Sequence, residues 1–335
     1  MEDFFKFARE RHSIYLRRQA GLPRPWTDDP ILNHYRFTNV FRELDATTVW
    51  FKDNVREPMR DKPEVLLATV LFRWFNRMKT GEAIFNQKTL LGNSSCTAWQ
   101  SMLNHGETSD VAAAIRAFCG KGPYVTGAYI IKTPNGMDKL TGVLQCVEWF
   151  MEKDYQYKGS ELFSKPLEYQ WRGLANMIQQ TSYPHTLEDT WKWLKQFPYM
   201  GDFMAYEVVT DLRHTALLEN APDIMTWANP GPGAARGMGR VLNDDKDMYN
   251  QHRDKKALIL HMRELLEDSK NPENWPQQTH DEIQTSGEFA ESWDKYQMWG
   301  PWPRWEMRDI EHTLCEFDKY ERARLGEGRP RGVYK

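Results

Sequence analysis

Residues Trp191 to Leu212, WKWLKQFPYMGDFMAYEVVTDL, read as helix, Pro-x-x-Gly turn, helix, with Gly201 or Asp202 placed to open the second helix. That second helix is nearly all apolar. Glu207 and Asp211 interrupt it at i and i+4, and His214 extends the row at i+7, so one stripe of a largely buried helix carries two carboxylates and an imidazole. Unpaired buried charge is costly, so the stripe either faces a wet cleft or is ion-paired to neighbouring arginines.

The same spacing continues outward. Phe37, Val40, Phe41, Leu44, Thr48 and Phe51 recur at three and four, as do Leu66, Val70, Trp74 and Met78. Further helices are expected near 95–104, 109–119, 140–152, 168–180, 187–196, 202–218, 234–242, 254–268 and 303–324. The exception is YVTGAYIIKT at 124–133, rich in aromatic and β-branched residues and followed by the turn-forming Pro134-Asn135-Gly136; it predicts a short hairpin or an extended loop. No internal repeat or convincing linker divides the 335 residues, so the expectation is one mostly helical domain over 1–335 with room for two lobes.

Composition sets the outer limits. With 16 Phe, 14 Tyr, 14 Trp and 40% hydrophobic residues, the chain fits neither disorder, collagen nor a simple coiled coil. No run approaches the ~18 apolar residues that span a bilayer, and MEDFFKFARERH is too charged for a secretory signal, so the cytoplasm is the expected compartment. Cys96, Cys119, Cys146 and Cys315 match no zinc, iron–sulfur or redox spacing and read as reduced thiols. There is no His-Glu-x-x-His, no Walker-type glycine run and no Gly-x-Gly-x-x-Gly. A net charge of −3 gives no global argument for nucleic acid, but two local basic segments exist, KFARERHSIYLRR at 6–18 and the tail at 319–335. Each reads as a solvated terminus or as a phosphate contact.

Three further segments carry polar residues in suggestive patterns. In WANPGPGAARG, 227–237, Gly231 and Gly233 precede a helix starting near Ala234, where exposed amides and Arg236 would suit phosphate oxygens; a plain Gly/Pro turn is the alternative. RFTNVFRELD, 36–45, read as a helix, turns Phe37, Val40, Phe41 and Leu44 inward and leaves Arg36, Asn39, Arg42, Glu43 and Asp45 elsewhere, with Arg42 and Asp45 spaced to pair. RDIEHTLCEFDKY, 308–320, carries Arg308, Glu311, His312 and Cys315 at helical spacing with Asp318 beyond; a helix held by local ion pairs is the bland alternative.

In this order, RFTNVFRELD, the Thr126–Tyr129 TGAY with Lys139 downstream, GDFMAYEVVTDL at 201–212, GPGAARG at 231–237 and RDIEHTLCEFDKYER at 308–322 resemble the bacteriophage α-glutamyl/putrescinyl-thymine pyrophosphorylases, or amino acid:DNA transferases. The helical module also resembles the one fused to 5-hydroxymethyluracil DNA kinases, without the P-loop a kinase would require. The resemblance implies a mainly α fold like that of helix-hairpin-helix DNA glycosylases, with at most a small β-hairpin and with FPYMGDFMAYEVV as a degenerate phosphate-contacting turn. Phe203 stands where a bifunctional glycosylase carries its lysine, and no four-cysteine cluster follows, which disfavours Schiff-base lyase chemistry. Asp223 falls near the place of the glycosylase carboxylate.

The implied reaction replaces the phosphate or pyrophosphate of an activated 5-hydroxymethyluracil in phage DNA by the amine of an amino acid or polyamine, on a flipped base. Glu207 and Asp211 are then expected as general base or ammonium ligand, with Asp45 grouped beside them as catalytic. Arg36, Asn39, Arg42, Tyr129, Lys139, Gly201, Gly231, Gly233, Arg236, Glu311 and Asp318 are expected around substrate, phosphate and DNA. Cys315 could instead add to uracil C6 as thiolate. No cofactor is required, though Mg²⁺ would suit carboxylates and phosphate. The implied partners are double-stranded phage DNA, the amine and a DNA kinase, with no membrane, in the cytoplasm of an infected bacterium. A glycosylase excising a modified base and a non-catalytic DNA-binding accessory of a hypermodification kinase are the competing readings.

Overall fold

The computed structural model describes residues 1–91, 94–127, 129, 131–151, 185–276 and 302–334. These form thirteen α-helices and one hairpin. In chain order they are α1 (Glu2–Gln19), α2 (Pro30–His34), α3 (Ala46–Phe51), α4 (Glu64–Phe75), α5 (Met78–Gly81), β1 (Lys88–Leu91), β2 (Ser94–Thr97), α6 (Ala98–His105), α7 (Ser109–Cys119) and α8 (Lys139–Met151). They continue with α9 (Leu187–Leu194), α10 (Asp202–Leu212), α11 (Pro232–Asn243), α12 (Lys255–Asp268) and α13 (Met307–Arg324). The expected mainly α class is thus observed, and none of these helices is long and apolar enough to cross a membrane. The chain forms two compact units, one built from residues 1–45 and 224–335, the other from 46–223.

The 46–223 unit is organised by α4, EVLLATVLFRWF, which is apolar all round and buries every residue from Val65 to Phe75. It stops where Asn76 turns left-handed at φ 44° and donates its amide to the Phe72 carbonyl. Against it packs α10, equally buried from Met204 to Leu212. The ends of shorter helices are satisfied locally: Thr97 and Gln100 form a capping box on α6, and the Thr186 hydroxyl caps α9. β1 and β2 pair antiparallel, Lys88 opposite Thr97.

In the other unit α11 lies along α13. Gly237 makes the close approach possible, because a Cβ there would strike the Leu314 carbonyl of α13, and a Cβ at Gly233 would stand 2.9 Å from Cys315 Sγ. An aromatic core fills the space beside α1: Trp275 meets Trp302 and Trp305 with ring centres 4.7 and 5.0 Å apart, and Phe4 lies against both Trp305 and Phe317.

Expected and observed elements differ at several places. RFTNVFRELD is not an α-helix: it runs irregularly to a 3₁₀ turn at Arg42–Leu44, and helix begins only at Ala46. Three of its amides are taken outside any i−4 ladder, Arg36 N by the Gly332 carbonyl, Thr38 N by Glu316 and Asn39 N by the Asp45 side chain. Phe37, Val40 and Phe41 are buried all the same, so the spacing recorded burial and not helix. The strand-like segment at 124–133 forms no strand among its described residues; the extended-loop alternative applies, pinned where Thr126 N donates to Phe75 O and Thr80 Oγ1 to Tyr124 O. The hairpin lies upstream at 88–97, partly where helix was expected from 95. Helix 202–218 ends early at Leu212, helix 303–324 starts late at Met307, and 168–180 lies outside the described residues.

Gly237→Ala is expected to lower stability by about 1–3 kcal/mol, since the methyl meets backbone that cannot rotate away. Urea unfolding would show it as a lower midpoint at unchanged slope.

Candidate functional site

In the 46–223 unit the stripe on α10 resolves into two different environments. Asp211 is 1% exposed and held by arginines from two elements. Arg73 of α4 binds it with both Nε and Nη2, the latter 2.8 Å from Oδ1, and Arg56 Nη1 stands 3.4 Å from the same oxygen. Arg73 also donates to Thr48 Oγ1 at 3.2 Å and Asn76 Oδ1 at 2.8 Å. Between the two alternatives open for this stripe, Asp211 takes the ion-paired one. His214 lies past the end of the helix, its amide on the Asp211 carbonyl.

One turn earlier, Glu207 Oε2 accepts the Tyr129 hydroxyl. The Tyr129 ring in turn meets Phe203 edge-on at 4.8 Å, and Phe203 is 49% exposed. Glu207, Tyr129 and Phe203 therefore form a carboxylate, phenol and open aromatic face at the start of α10. Gly201 precedes that helix in extended conformation with open space around its α-carbon, and Asp202 pairs with Lys195 at 2.6 Å. Lys139 opens α8 exposed, its ammonium on the Ile131 carbonyl. Asp223 caps α9 instead of facing a substrate: its two oxygens accept the amides of Leu187 at 2.7 Å and Glu188 at 3.0 Å, and burial raises its pKa against the pull of those amides.

In the unit of 1–45 and 224–335, RFTNVFRELD faces α1 and α13. Arg11 of α1, 3% exposed, donates Nη2 to the Phe37 carbonyl at 3.0 Å and to Asn39 Oδ1 at 2.7 Å, and burial lowers its pKa. Asn39 closes the loop, its amide on Asp45 Oδ1 and its Nδ2 on the Leu44 carbonyl. Thr38 Oγ1 lies 2.9 Å from His312 Nε2, while its amide donates to Glu316. Burial raises the Asp45 pKa, opposed by His312, Arg11 and Arg42. At Glu316 burial is overcome by Lys319 and His312, and the pKa falls. Arg42 is buried, and Glu43 lies 3.6 Å from Arg308. The expected grouping of Asn39, Arg42 and Asp45 is thus a buried polar lattice, not a solvated helix face.

At 231–237, where a phosphate cradle is expected, the polar groups have partners within the unit. The Gly231 amide at the start of α11 is already capped by Glu311 Oε1 at 3.0 Å, and Gly233 serves packing against Cys315. Arg236 donates to Asp318 Oδ2 at 2.9 Å; fully buried Asp318 also meets Arg240 at 3.1 Å and Arg322 at 3.2 Å. Cys315 donates its thiol to Glu311, and burial together with Glu311 and Glu316 raises its pKa. Among the described residues no group of three or more His, Cys, Asp or Glu is placed to hold a metal ion.

The candidate residues divide, then, into Glu207, Asp211, Tyr129, Lys139 and Gly201 in one unit and the remainder in the other. The family described as the helical domain of 5-hmdU DNA kinase matches residues 1–329. The chain belongs to that family. Among curated proteins, a "5-hmdU DNA kinase" of Bacillus phage SP10 is 26% identical over 255 residues, 70% of this chain and 35% of that protein, so the aligned helical-domain segment spans about a third of its relative. No solved structure matches this helical-domain protein.

Sequence reading missed Arg73, Arg56 and Arg11. The signal for Arg73 was present as a single arginine inside an otherwise apolar helix, which demands a buried carboxylate. Asp211→Asn is expected to cost about 3–5 kcal/mol, read as a fall in the guanidinium unfolding midpoint, because it strands two buried guanidinium groups. On α13 burial pushes Asp309 up to about 7 while it accepts the Glu306 amide at the helix start. Its folded pKa lies above the unfolded value, so stability falls as pH rises from about 4 to about 7 and the full penalty holds above that. Asp309→Asn should therefore be more stable than wild type at pH 8, with the difference in melting temperature shrinking toward pH 5.

Proposed function

We propose that this protein acts in thymine hypermodification of phage DNA, as a transferase that exchanges the phosphate or pyrophosphate of an activated 5-hydroxymethyluracil for an amine. The observation that carries this reading is the match of the 5-hmdU DNA kinase helical domain to residues 1–329, in a chain that sets Glu207 and Tyr129 beside exposed Phe203.

In that step the amine nitrogen bonds to the exocyclic carbon, the carbon–oxygen bond to phosphate breaks, and phosphate departs with the bonding pair. The proton lost by nitrogen needs an acceptor. Glu207 is the acceptor in this reading, its carboxylate oriented by the Tyr129 hydroxyl, with exposed Phe203 beside it as an apolar surface for an extruded base. Asp211 acts through structure, holding α10 on α4 by way of Arg73. Exposed Arg36 and Lys139 supply charge for DNA phosphates. The amine is an amino acid or polyamine, Mg²⁺ is admissible as a phosphate partner, and a kinase supplies the activated base.

Purified protein would be incubated with duplex DNA carrying kinase-activated 5-hydroxymethyluracil and a pool of amino acids and polyamines, then digested to nucleosides for mass spectrometry. An amine-bearing thymidine is the expected product. Abasic sites would move the protein to the glycosylases. Unchanged activated nucleoside would favour a DNA-binding accessory of a hypermodification kinase. Glu207→Gln is expected to lower turnover by about 100-fold or more with the circular dichroism spectrum unchanged, and Tyr129→Phe by less; full turnover by Glu207→Gln would reduce the pair to a structural contact.

A further inference from the structure

The unit of residues 1–45 and 224–335 brings the two basic segments of the sequence to one surface. Most of the first segment is consumed by the fold: Arg11 is buried, Arg9 donates to the carbonyls of Glu273 and Asn274, and Arg17 pairs with Glu10. Arg18 at its end is exposed. From the second segment, Val333 bridges to Tyr35, Gly332 accepts the Arg36 amide and Tyr334 donates its amide to the His34 carbonyl. This backbone pairing fixes the Tyr334 ring against Trp26, centroids 5.5 Å apart.

Three exposed arginines converge on these two rings. The guanidinium carbons of Arg18, Arg24 and Arg36 stand 5.9, 5.1 and 5.5 Å from the Tyr334 centroid, and those of Arg18 and Arg24 also lie 5.2 and 5.3 Å from Trp26. Among the described residues no carboxylate pairs with any of the three; Arg24 alone has a polar partner, Asn33, through its carbonyl at 2.6 Å and Oδ1 at 3.4 Å. Arg329 and Arg331 are exposed in the adjoining tail.

This arrangement differs from the other arginine cluster of the unit, where Asp318 and Glu327 neutralise Arg236, Arg240 and Arg322. Three like charges drawn to one aromatic pair repel one another, and cation–π contact with the rings offsets part of that repulsion. All three side chains are exposed, and a guanidinium binds phosphate oxygens in pairs through its N–H edges. Among the described residues no carboxylate supplies the counter-charge, and the geometry suits several closely spaced anions. We infer that Arg18, Arg24 and Arg36, racked on Trp26 and Tyr334, form a docking site for the sugar–phosphate backbone of duplex DNA. The choice of DNA over a small polyphosphate rests on the function proposed above.

The test is fluorescence anisotropy with a labelled 20-base-pair duplex over a salt series, comparing wild type, the triple variant Arg18→Gln/Arg24→Gln/Arg36→Gln, each single variant, and Arg253→Gln as an exposed control in the same unit. Circular dichroism checks that each variant is folded. The expected result is a loss of roughly 10-fold or more in affinity for the triple variant and a salt slope smaller by about 2.7, near 0.9 for each single variant, with Arg253→Gln unchanged. A folded triple variant, or folded single variants, with wild-type affinity and slope would overturn the site while leaving the proposed function standing. Absence of duplex binding by wild type would overturn both. Tripolyphosphate binding to wild type more tightly than DNA, and lost in the triple variant, would overturn the DNA assignment in favour of a small polyphosphate ligand.

Discussion

Two arginines closing on one buried carboxylate organise the 46–223 unit. Asp211, Arg73 and Arg56 are each about 1% exposed, so none reaches bulk water, and each is tolerable only because the others are present. The pairing fixes the register of α10 on α4. Everything else on α10 follows from it: Glu207 is placed one turn away, where Tyr129 meets it, and Phe203 comes out at the open end. Two acidic residues on one stripe thus have separate parts, one as an anchor and one as a reactive candidate, and their surroundings decide which is which.

The other unit solves a different problem. α11 and α13 lie closer than side chains permit, so glycines occupy the contact and the polar groups around it must be satisfied in a narrow space. Glu311 caps the Gly231 amide and receives the Cys315 thiol, while Asp318 collects three arginines. Residues that read as a phosphate cradle are spent on holding two helices together. The unneutralised charge of this unit lies elsewhere, around Trp26 and Tyr334.

The sequence was most legible where structure is local. The spacings of α4, α7, α9, α11 and α12 appear as helices within a few residues of their expected bounds, because a 3.6-residue period and a buried face are one signal. Legibility failed where distant groups take over the backbone. Nothing within RFTNVFRELD announces that Gly332 and Glu316, some three hundred residues on, claim its amides. The site was readable to the same degree: the acidic stripe on α10 is local and was found, but its division into Asp211 and Glu207 depends on Arg73 and Tyr129, which reach it from other parts of the chain.

The unit of 46–223 interrupts the other, whose first 45 residues are separated in the chain from the helices they pack against. During synthesis the interrupting unit has all its residues once 223 leaves the ribosome and can close its core at once. The aromatic face of α1 must wait, because Trp305 and Phe317 follow it by some three hundred residues. Phe4, Phe5 and Phe7 are therefore a sticky nascent surface until those residues emerge, and α1, not the inserted unit, is where a chaperone would have the longer opportunity to engage the chain.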